Sequence, residues 1–278
     1  YEIANAEHLA MSDSAGMINL SHFAIVDVEG PDAERMLEDL SVAKVGGDTP
    51  EDKIIYTNFL DEDGGVHADL TISRLGSDQY RVVTGGADGN RDWVTMRNYR
   101  DDMGFNADMK IRTHDMATLG LWGPKAKDAL GHFIDPNEIS IENFPFVAAK
   151  HLTLNLTGGK SIDVWAARIS YVGESGWEIY LDNDTEDGLA LYDSLLEVGV
   201  VPVGIETYAN SRRLEKSFRL QGADLLTEYN ACESAVHRPK VKEANFHGKE
   251  AHLIHREEEP SAILCTMTLD NLDVSGNG

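Results

Sequence analysis

The stretch that most limits what this chain can fold into runs from Ile54 to Leu75. Two runs of β-forming residues, Ile54–Leu60 and Val66–Leu75, flank Asp61-Glu-Asp-Gly-Gly65. An acidic turn closed by paired glycines supplies the positive φ that a tight hairpin needs. Alternation along the second strand puts His67, Asp69, Thr71 and Ser73 on one face and Ala68, Leu70 and Ile72 on the other. Asp69 is the anomaly. A short carboxylate prefers turns, and it costs free energy wherever a strand removes it from water. Two readings of that face stay open: a solvated outer surface, or the wall of a site that uses the charge.

Around this hairpin the chain alternates helical and strand patterns. Ile3–Ser14 reads as a packing helix with Ile3, Ala6, Leu9 and Ala10 at helical spacing, and Met17–Val28 reads as one strand. Gly30-Pro-Asp-Ala33 opens a helix through Leu40, with proline in the first turn and acidic residues after it. Tyr80–Thr84 is a third strand, followed by a helix over Arg91–Tyr99. Lys110–Thr113 and Ala117–Trp122 are short strands, and Gly123-Pro-Lys-Ala126 starts a further helix in the manner of Gly30-Pro-Asp-Ala33. The two Gly-Pro-x-Ala units follow strands of similar character, which implies a weak internal repeat of two αβ halves. Val147–Thr157 and Ser161–Ser170 form a hairpin through Gly158-Gly159, Ser170–Tyr180 is strand-like, and Glu186–Val198 is an amphipathic helix.

Composition removes several function classes. Forty-eight acidic against 24 basic residues give a formal net charge of −24, which repels nucleic acid and anionic lipid. Arg212-Arg213 and Arg238-Pro-Lys-Val-Lys242 are too short to form a basic patch. The acid excess fits plain solubility and a saline habitat equally. No apolar run approaches a membrane span and no secretory signal is visible, although the chain starts at Tyr1. Asn19-Leu-Ser21 is therefore read as an accidental glycosylation match. Cys232 and Cys265, far apart and without CxxC spacing, point to a reducing, cytoplasmic setting and away from a cysteine zinc site.

Other motifs add one candidate. Glu178, between Trp177 and Ile179, repeats the oddity of Asp69: a carboxylate among β-formers, either facing outward or held as an acceptor for ligand N–H groups. Glu174, between Gly173 and Ser175, is a turn residue. Gly85-Gly-Ala-Asp-Gly89 fits neither GxGxxG nor GxxxxGK[ST], so it is not a phosphate loop. His237, His247, His252 and His255 lack a metal-ligand spacing and read as surface residues, so no metal is expected. Arg212 and Lys216 stand at i,i+4 on a helix, as well explained by a salt-bridged surface as by a grip on a substrate anion. No Gly-x-Ser-x-Gly elbow supports a hydrolase.

Tyr56…Leu60, Gly64-Gly65, Asp69-Leu70, Gly123-Pro124, Tyr171-Val-Gly-Glu-Ser-Gly-Trp-Glu178 and Arg213-Leu-Glu-Lys216 follow one another in a specific order. In that order and spacing the chain resembles the glycine-cleavage T-protein (aminomethyltransferase) family over nearly its whole length. It is most similar to the folate-binding part of dimethylglycine and sarcosine dehydrogenases and oxidases. The resemblance implies an α+β fold, a cloverleaf-like core with a central channel for tetrahydrofolate, over residues 1–258. Residues 259–278 would begin a C-terminal β-barrel that is mostly missing. It implies Asp69 as the main functional residue, Glu178 as the acceptor for the pterin N–H edge, Tyr56 lining the folate site, Thr84 near the reacting end, and Tyr171 in the pocket wall. His22, after Leu20-Ser21, matches a recurrent serine-histidine read as structural.

The chemistry so implied is one-carbon transfer. A methylene or methyl group on the nitrogen of a methylated amine or amino acid, such as a dimethylglycine- or sarcosine-derived iminium, is taken by a nitrogen of tetrahydrofolate, with Asp69 stabilising the cation. The chain departs from the family's pattern in three places. Tyr208-Ala-Asn-Ser211 lacks the arginine of glycine-cleavage members, no flavin-binding motif is present, and the barrel is incomplete. A flavin-dependent oxidase or dehydrogenase partner would have to supply the oxidation. The alternatives on the same fold are a demethylase of a sulfonium or aryl methyl ether, a module that binds folate only as a ligand, and a non-catalytic folate-binding accessory protein for iron–sulfur assembly. The last carries a Lys-Gly-Cys-x-x-Gly-Gln signature that is not found here.

Overall fold

The computed structural model describes residues 2–182, 185–236 and 240–268. Sheet hydrogen bonding divides the strands into two groups. Strands β1 (Gly16–Asn19), β7 (Met116–Trp122), β8 (Ala149–Asn155), β9 (Ser161–Ala167), β10 (Gly176–Asp182) and β11 (Val201–Pro202) form a six-stranded sheet in the order β11-β1-β7-β10-β9-β8. Strands β2 (Ala24–Glu29), β3 (Ile54–Leu60), β4 (Val66–Gly76), β5 (Gln79–Thr84) and β6 (Asp108–Ile111) form a five-stranded sheet in the order β3-β4-β5-β2-β6. Apart from the parallel β1–β11 pair, every pairing is antiparallel.

Each sheet buries its outer face under helices. Helices α2 (Ala33–Leu40) and α3 (Gly89–Met103) cover the five-stranded sheet, with Met36, Leu37, Leu40 and Met96 packed on Val26, Leu70, Ile72 and Val82. Helices α4 (Ala126–Leu130) and α5 (Thr185–Glu197) cover the six-stranded one, with Leu130, Leu191 and Leu195 against Leu121, Trp177 and Ile179. The inner faces meet through Ile25, Ile54 and Val83 from one sheet and Met116, Trp165, Ala167 and Tyr180 from the other. The interior is therefore double-walled, and its inner faces carry polar groups: Arg81, 7% exposed, binds Asp27 at 2.8 and 3.0 Å and lies over the Trp165 ring.

The expected single strand over Met17–Val28 is two. Asn19 Oδ1 accepts from the Ser21 amide at 2.9 Å, and Ser21 Oγ accepts from the Thr118 amide at 3.0 Å. These bonds turn the chain at Leu20–Phe23, so β1 joins the first sheet and β2 the second. Helix α1 (Glu2–Asp13) also corrects the reading, because Ile3, Ala6 and Leu9 face outward. It docks through polar groups instead: Glu7 accepts from the Gly204 amide and the Thr207 hydroxyl, and His8 contacts Ser211.

The internal repeat has a structural counterpart. Gly30 and Gly123 take φ of +135° and +138°, where an L side chain is strained, and each carbonyl accepts from the amide three residues on to start α2 and α4. One unit lies in each sheet. The strand-like reading of Ser170–Tyr180 shortens to β10, because residues 170–175 turn. The segment from Glu206 to Arg212 is a π-helix that runs into α6 (Arg213–Glu215), and α7 (Lys249–Glu257) closes the described chain. No regular element follows in residues 259–268, and the remainder of the expected barrel start lies outside the described residues.

Candidate functional site

The hairpin forms as its residues dictate. Asp61 Oδ1 accepts from the amides of Asp63 (3.1 Å) and Gly65 (2.7 Å), and Gly64 takes φ +81°. Register then sets Asn58 opposite Asp69 and Tyr56 opposite Thr71, so Tyr56, Asn58 and Asp69 share the inner face of the sheet. Asn58 Nδ2 donates to Asp69 Oδ1 at 2.8 Å, and the Tyr56 hydroxyl lies close enough to Asp69 to favour its charged form. Asp69 is half-buried, and removal from water, with Asp92 and Asp88 adding to the effect, pushes its carboxyl up to about 6 against the pull of these two groups.

Glu178 lies on β10 in the opposite sheet, 8% exposed. Its neighbours in register are Gly120 and Ala167, and the Trp122 ring fills the space over Gly120. The Tyr180 hydroxyl donates to Oε2 at 2.5 Å and is the one side-chain donor to this carboxylate among the described residues. Burial pushes Glu178 up to about 7. An outward-facing glutamate is thus excluded: this is an enclosed acceptor with lone pairs to spare.

Aromatic residues join the two carboxylates. Tyr171 lies within electrostatic reach of both Asp69 and Tyr56, and its ring packs on Tyr208 at 5.4 Å between centroids. Tyr208, fully enclosed, in turn feels Glu178. Phe218 stacks on Tyr171 at 6.0 Å between centroids, and the Tyr171 hydroxyl donates to the Arg219 carbonyl at 2.6 Å. The burial that raises all three tyrosines keeps their hydroxyls protonated as donors.

Of the residues singled out from sequence, Tyr56, Asp69, Tyr171 and Glu178 belong to this connected set. Thr84 does not share its face: it pairs with Leu70, on the side opposite Asp69, and its hydroxyl donates to the fully buried Asp92 at 2.6 Å. Its link to the site runs through Asp92, whose charge acts on Asp69. Asn58, Tyr180 and Tyr208 were not anticipated. Asn58 and Tyr180 could have been, since each stands two residues from a singled-out residue on the same strand face. Tyr208, in a π-helix, gave no periodic signal.

Two surface readings are corrected. Arg212 and Arg213 are 2% and 6% exposed. Arg212 pairs with Glu174 and with Glu215 (2.6 Å), and Arg213 pairs with Asp224 and donates to the Ala209 carbonyl at 2.7 Å. Glu174, read as a turn residue, is thereby also half of a buried ion pair. Among the histidines, His252 is 4% exposed with both ring nitrogens unpartnered, while His247 and His255 are half-buried. His237 lies outside the described residues. No group of three or more metal-ligating side chains occurs among the described residues, nor is any described helix long and apolar enough to cross a membrane.

Two helix-backed sheets that carry a half-buried carboxylate on one and an enclosed carboxylate on the other define the class: an aminomethyltransferase-type fold. The GCVT N-terminal domain family matches residues 1–239, and the chain belongs to it. The fold is similar to that of the glycine cleavage system aminomethyltransferase T from Bartonella henselae, with a TM-score of 0.79 and 24% identity over 93% of this chain and 67% of that one. The whole chain is 30% identical to human mitochondrial dimethylglycine dehydrogenase but spans only 32% of its length. An aminomethyltransferase of Herpetosiphon aurantiacus is 28% identical over 98% of this chain and 71% of its own.

Proposed function

We propose that residues 1–258 form a tetrahydrofolate-binding unit that moves a one-carbon group from the nitrogen of a methylated amine or amino acid, such as a dimethylglycine- or sarcosine-derived iminium. The observation that carries this reading is Asp69: a half-buried carboxylate held by Tyr56 and Asn58 and tied through Tyr171 and Tyr208 to a second enclosed carboxylate, Glu178.

The donor set suits the cofactor. Glu178 has one side-chain donor among the described residues and so keeps acceptor capacity, as an N–H-rich ring edge requires, and Tyr171 and Phe218 contribute aromatic rings nearby. Tetrahydrofolate, when bound, would supply the two nitrogens that take up the methylene carbon as methylenetetrahydrofolate, with release of the demethylated amine and a proton. Asp69, with its carboxyl near 6, is largely ionised at neutral pH. It stabilises positive charge on the donor nitrogen and can accept a proton from an attacking amine. Tyr56 orients that carboxylate. Thr84 enters by fixing Asp92, whose negative charge adds to the field at Asp69. The aromatic wall of Tyr171, Tyr208 and Phe218 keeps water from the donor.

A flavin-dependent oxidase or dehydrogenase, as a subunit or a neighbouring domain, would generate the donor. Support comes from the dimethylglycine dehydrogenase relative, of which this chain matches about a third. A cytoplasmic location is favoured by two cysteines that stand far apart and carry no disulfide among the described residues. The test is titration of the protein with tetrahydrofolate, followed by assay for methylenetetrahydrofolate with Asp69→Ala beside the natural chain. Sarcosine- and dimethylglycine-derived iminium, dimethylsulfoniopropionate and aryl methyl ethers serve as donors. Loss of product in Asp69→Ala with an amine-derived donor supports the reading. Turnover of a sulfonium or ether alone overturns it in favour of a demethylase.

A further inference from the structure

Asn58 is not among the residues singled out from sequence, yet it is 1% exposed and stands directly across the hairpin from Asp69. A buried asparagine in a strand is costly unless its amide is satisfied, and an aliphatic side chain of the same size would fill the space more cheaply. Here the amide is satisfied by the site itself. Its Nδ2 donates to Asp69 Oδ1 at 2.8 Å and reaches the Ala68 carbonyl at 3.4 Å, with Tyr56 beside it on the same face.

The orientation of the amide follows from its partners. A carbonyl and a carboxylate are acceptors only, so turning the Asn58 amide over would aim its oxygen at two oxygens. The ladder shifts register just beyond, between Phe59 and Leu60, so the Asn58–Asp69 pair lies at the end of the regular hairpin, where the strand begins to bend.

We propose that Asn58 is a positioning residue for Asp69: its amide pins Oδ1, holds the carboxylate in one orientation on the inner face, and favours its charged form. The use to which Asp69 is then put rests on the folate-transferase reading; the coupling of the two residues does not. Asn58 does not itself touch donor or acceptor. It acts by keeping the carboxylate aimed, and by opposing the desolvation and the Asp92 and Asp88 charges that drive Asp69 towards the neutral acid.

The test reads Asp69 directly, by carbon-13 NMR titration of aspartate side-chain carboxyls in the natural protein, Asn58→Leu and Asn58→Ser, with Asp69→Asn to assign the resonance. Removing the donor in Asn58→Leu should raise the Asp69 midpoint by about one unit, the size expected for a lost bond to a charged group. Asn58→Ser, which retains a donor, should move it less and decides the matter if the leucine variant does not fold. In single-turnover assays, Asn58→Leu should lose roughly tenfold in transfer rate with the Kd for tetrahydrofolate unchanged, a pattern that a merely structural role would not give. An unchanged Asp69 midpoint in the folded variants overturns the proposal. Failure of the natural protein to bind tetrahydrofolate overturns the function proposed above while leaving the NMR result to stand on its own.

Discussion

The Tyr180 hydroxyl reaches back two residues along β10 to donate to Glu178 Oε2 at 2.5 Å, between two sheets and away from water. This one bond opposes the burial that pushes Glu178 up to about 7, and so it decides how much of the carboxylate form exists near neutral pH. Affinity for tetrahydrofolate should therefore rise as pH increases through about 7 and level off above it. In Tyr180→Phe the carboxylate loses its donor and its midpoint climbs, by roughly one unit for a bond of this kind. Calorimetric titration from pH 6 to pH 9 checks this, and identical midpoints in the two proteins would rule out Glu178 as the titrating acceptor.

The site weakens the fold that carries it. Asp69 has its carboxyl raised from the ordinary 3.8 to about 6, so between those values the folded chain retains a proton that the unfolded chain has released. Stability therefore falls as pH rises through that window, and the loss is complete above it. Asp69→Asn should stabilise the ligand-free protein by about 1–2 kcal/mol at pH 8 and by almost nothing at pH 4. Urea denaturation at both values is the measurement; equal gains at both would mean that charge is not the cause.

Arg212 is nearly inaccessible and is held by Glu174 and Glu215. Arg212→Ala would leave Glu174 without its cation and should cost about 3–5 kcal/mol. The double variant Arg212→Ala, Glu174→Ala should recover part of the loss, because no lone charge then remains. Chemical denaturation of the natural protein, Arg212→Ala, Glu174→Ala and the double variant forms the cycle, and additive losses would show that the pair is uncoupled.

A Cβ at Gly176 would lie 1.9 Å from the Leu121 carbonyl oxygen, inside the ladder that aligns Glu178 with Gly120. Gly176→Ala cannot keep that register, and should either fail to fold or fold with tetrahydrofolate binding lost. A variant that binds as tightly as the natural chain would show that β10 tolerates displacement at Glu178.

Much of the site was readable before any coordinates. Asp69 and Glu178 stood out because a carboxylate among β-formers violates a strong local preference, and such violations are visible one residue at a time. The Gly-Pro-x-Ala units were legible for the same reason, since glycine and proline punctuate the backbone wherever they occur. The break in Met17–Val28 was not legible, because Asn19 and Ser21 turn the chain by bonding to each other and to Thr118, almost a hundred residues away. Nor was the burial of Arg212 and Arg213, because on a lone helix an arginine beside glutamates looks like a wet surface. Their partners Glu174 and Asp224 come from other segments.

Local chemistry by itself determined which residues are out of place in their strands, where the hairpin turns, and that the chain is strongly acidic. These follow from backbone preferences and alternation, which act over a few residues. Tertiary structure decided that Asp69 and Glu178, carried by different sheets, are linked through Tyr171 and Tyr208, and that Asn58 and Tyr180 are their donors. Those outcomes depend on how two sheets stack. Stacking sets desolvation and hydrogen-bond partners, and through them the protonation of both carboxylates, which no short window of sequence contains.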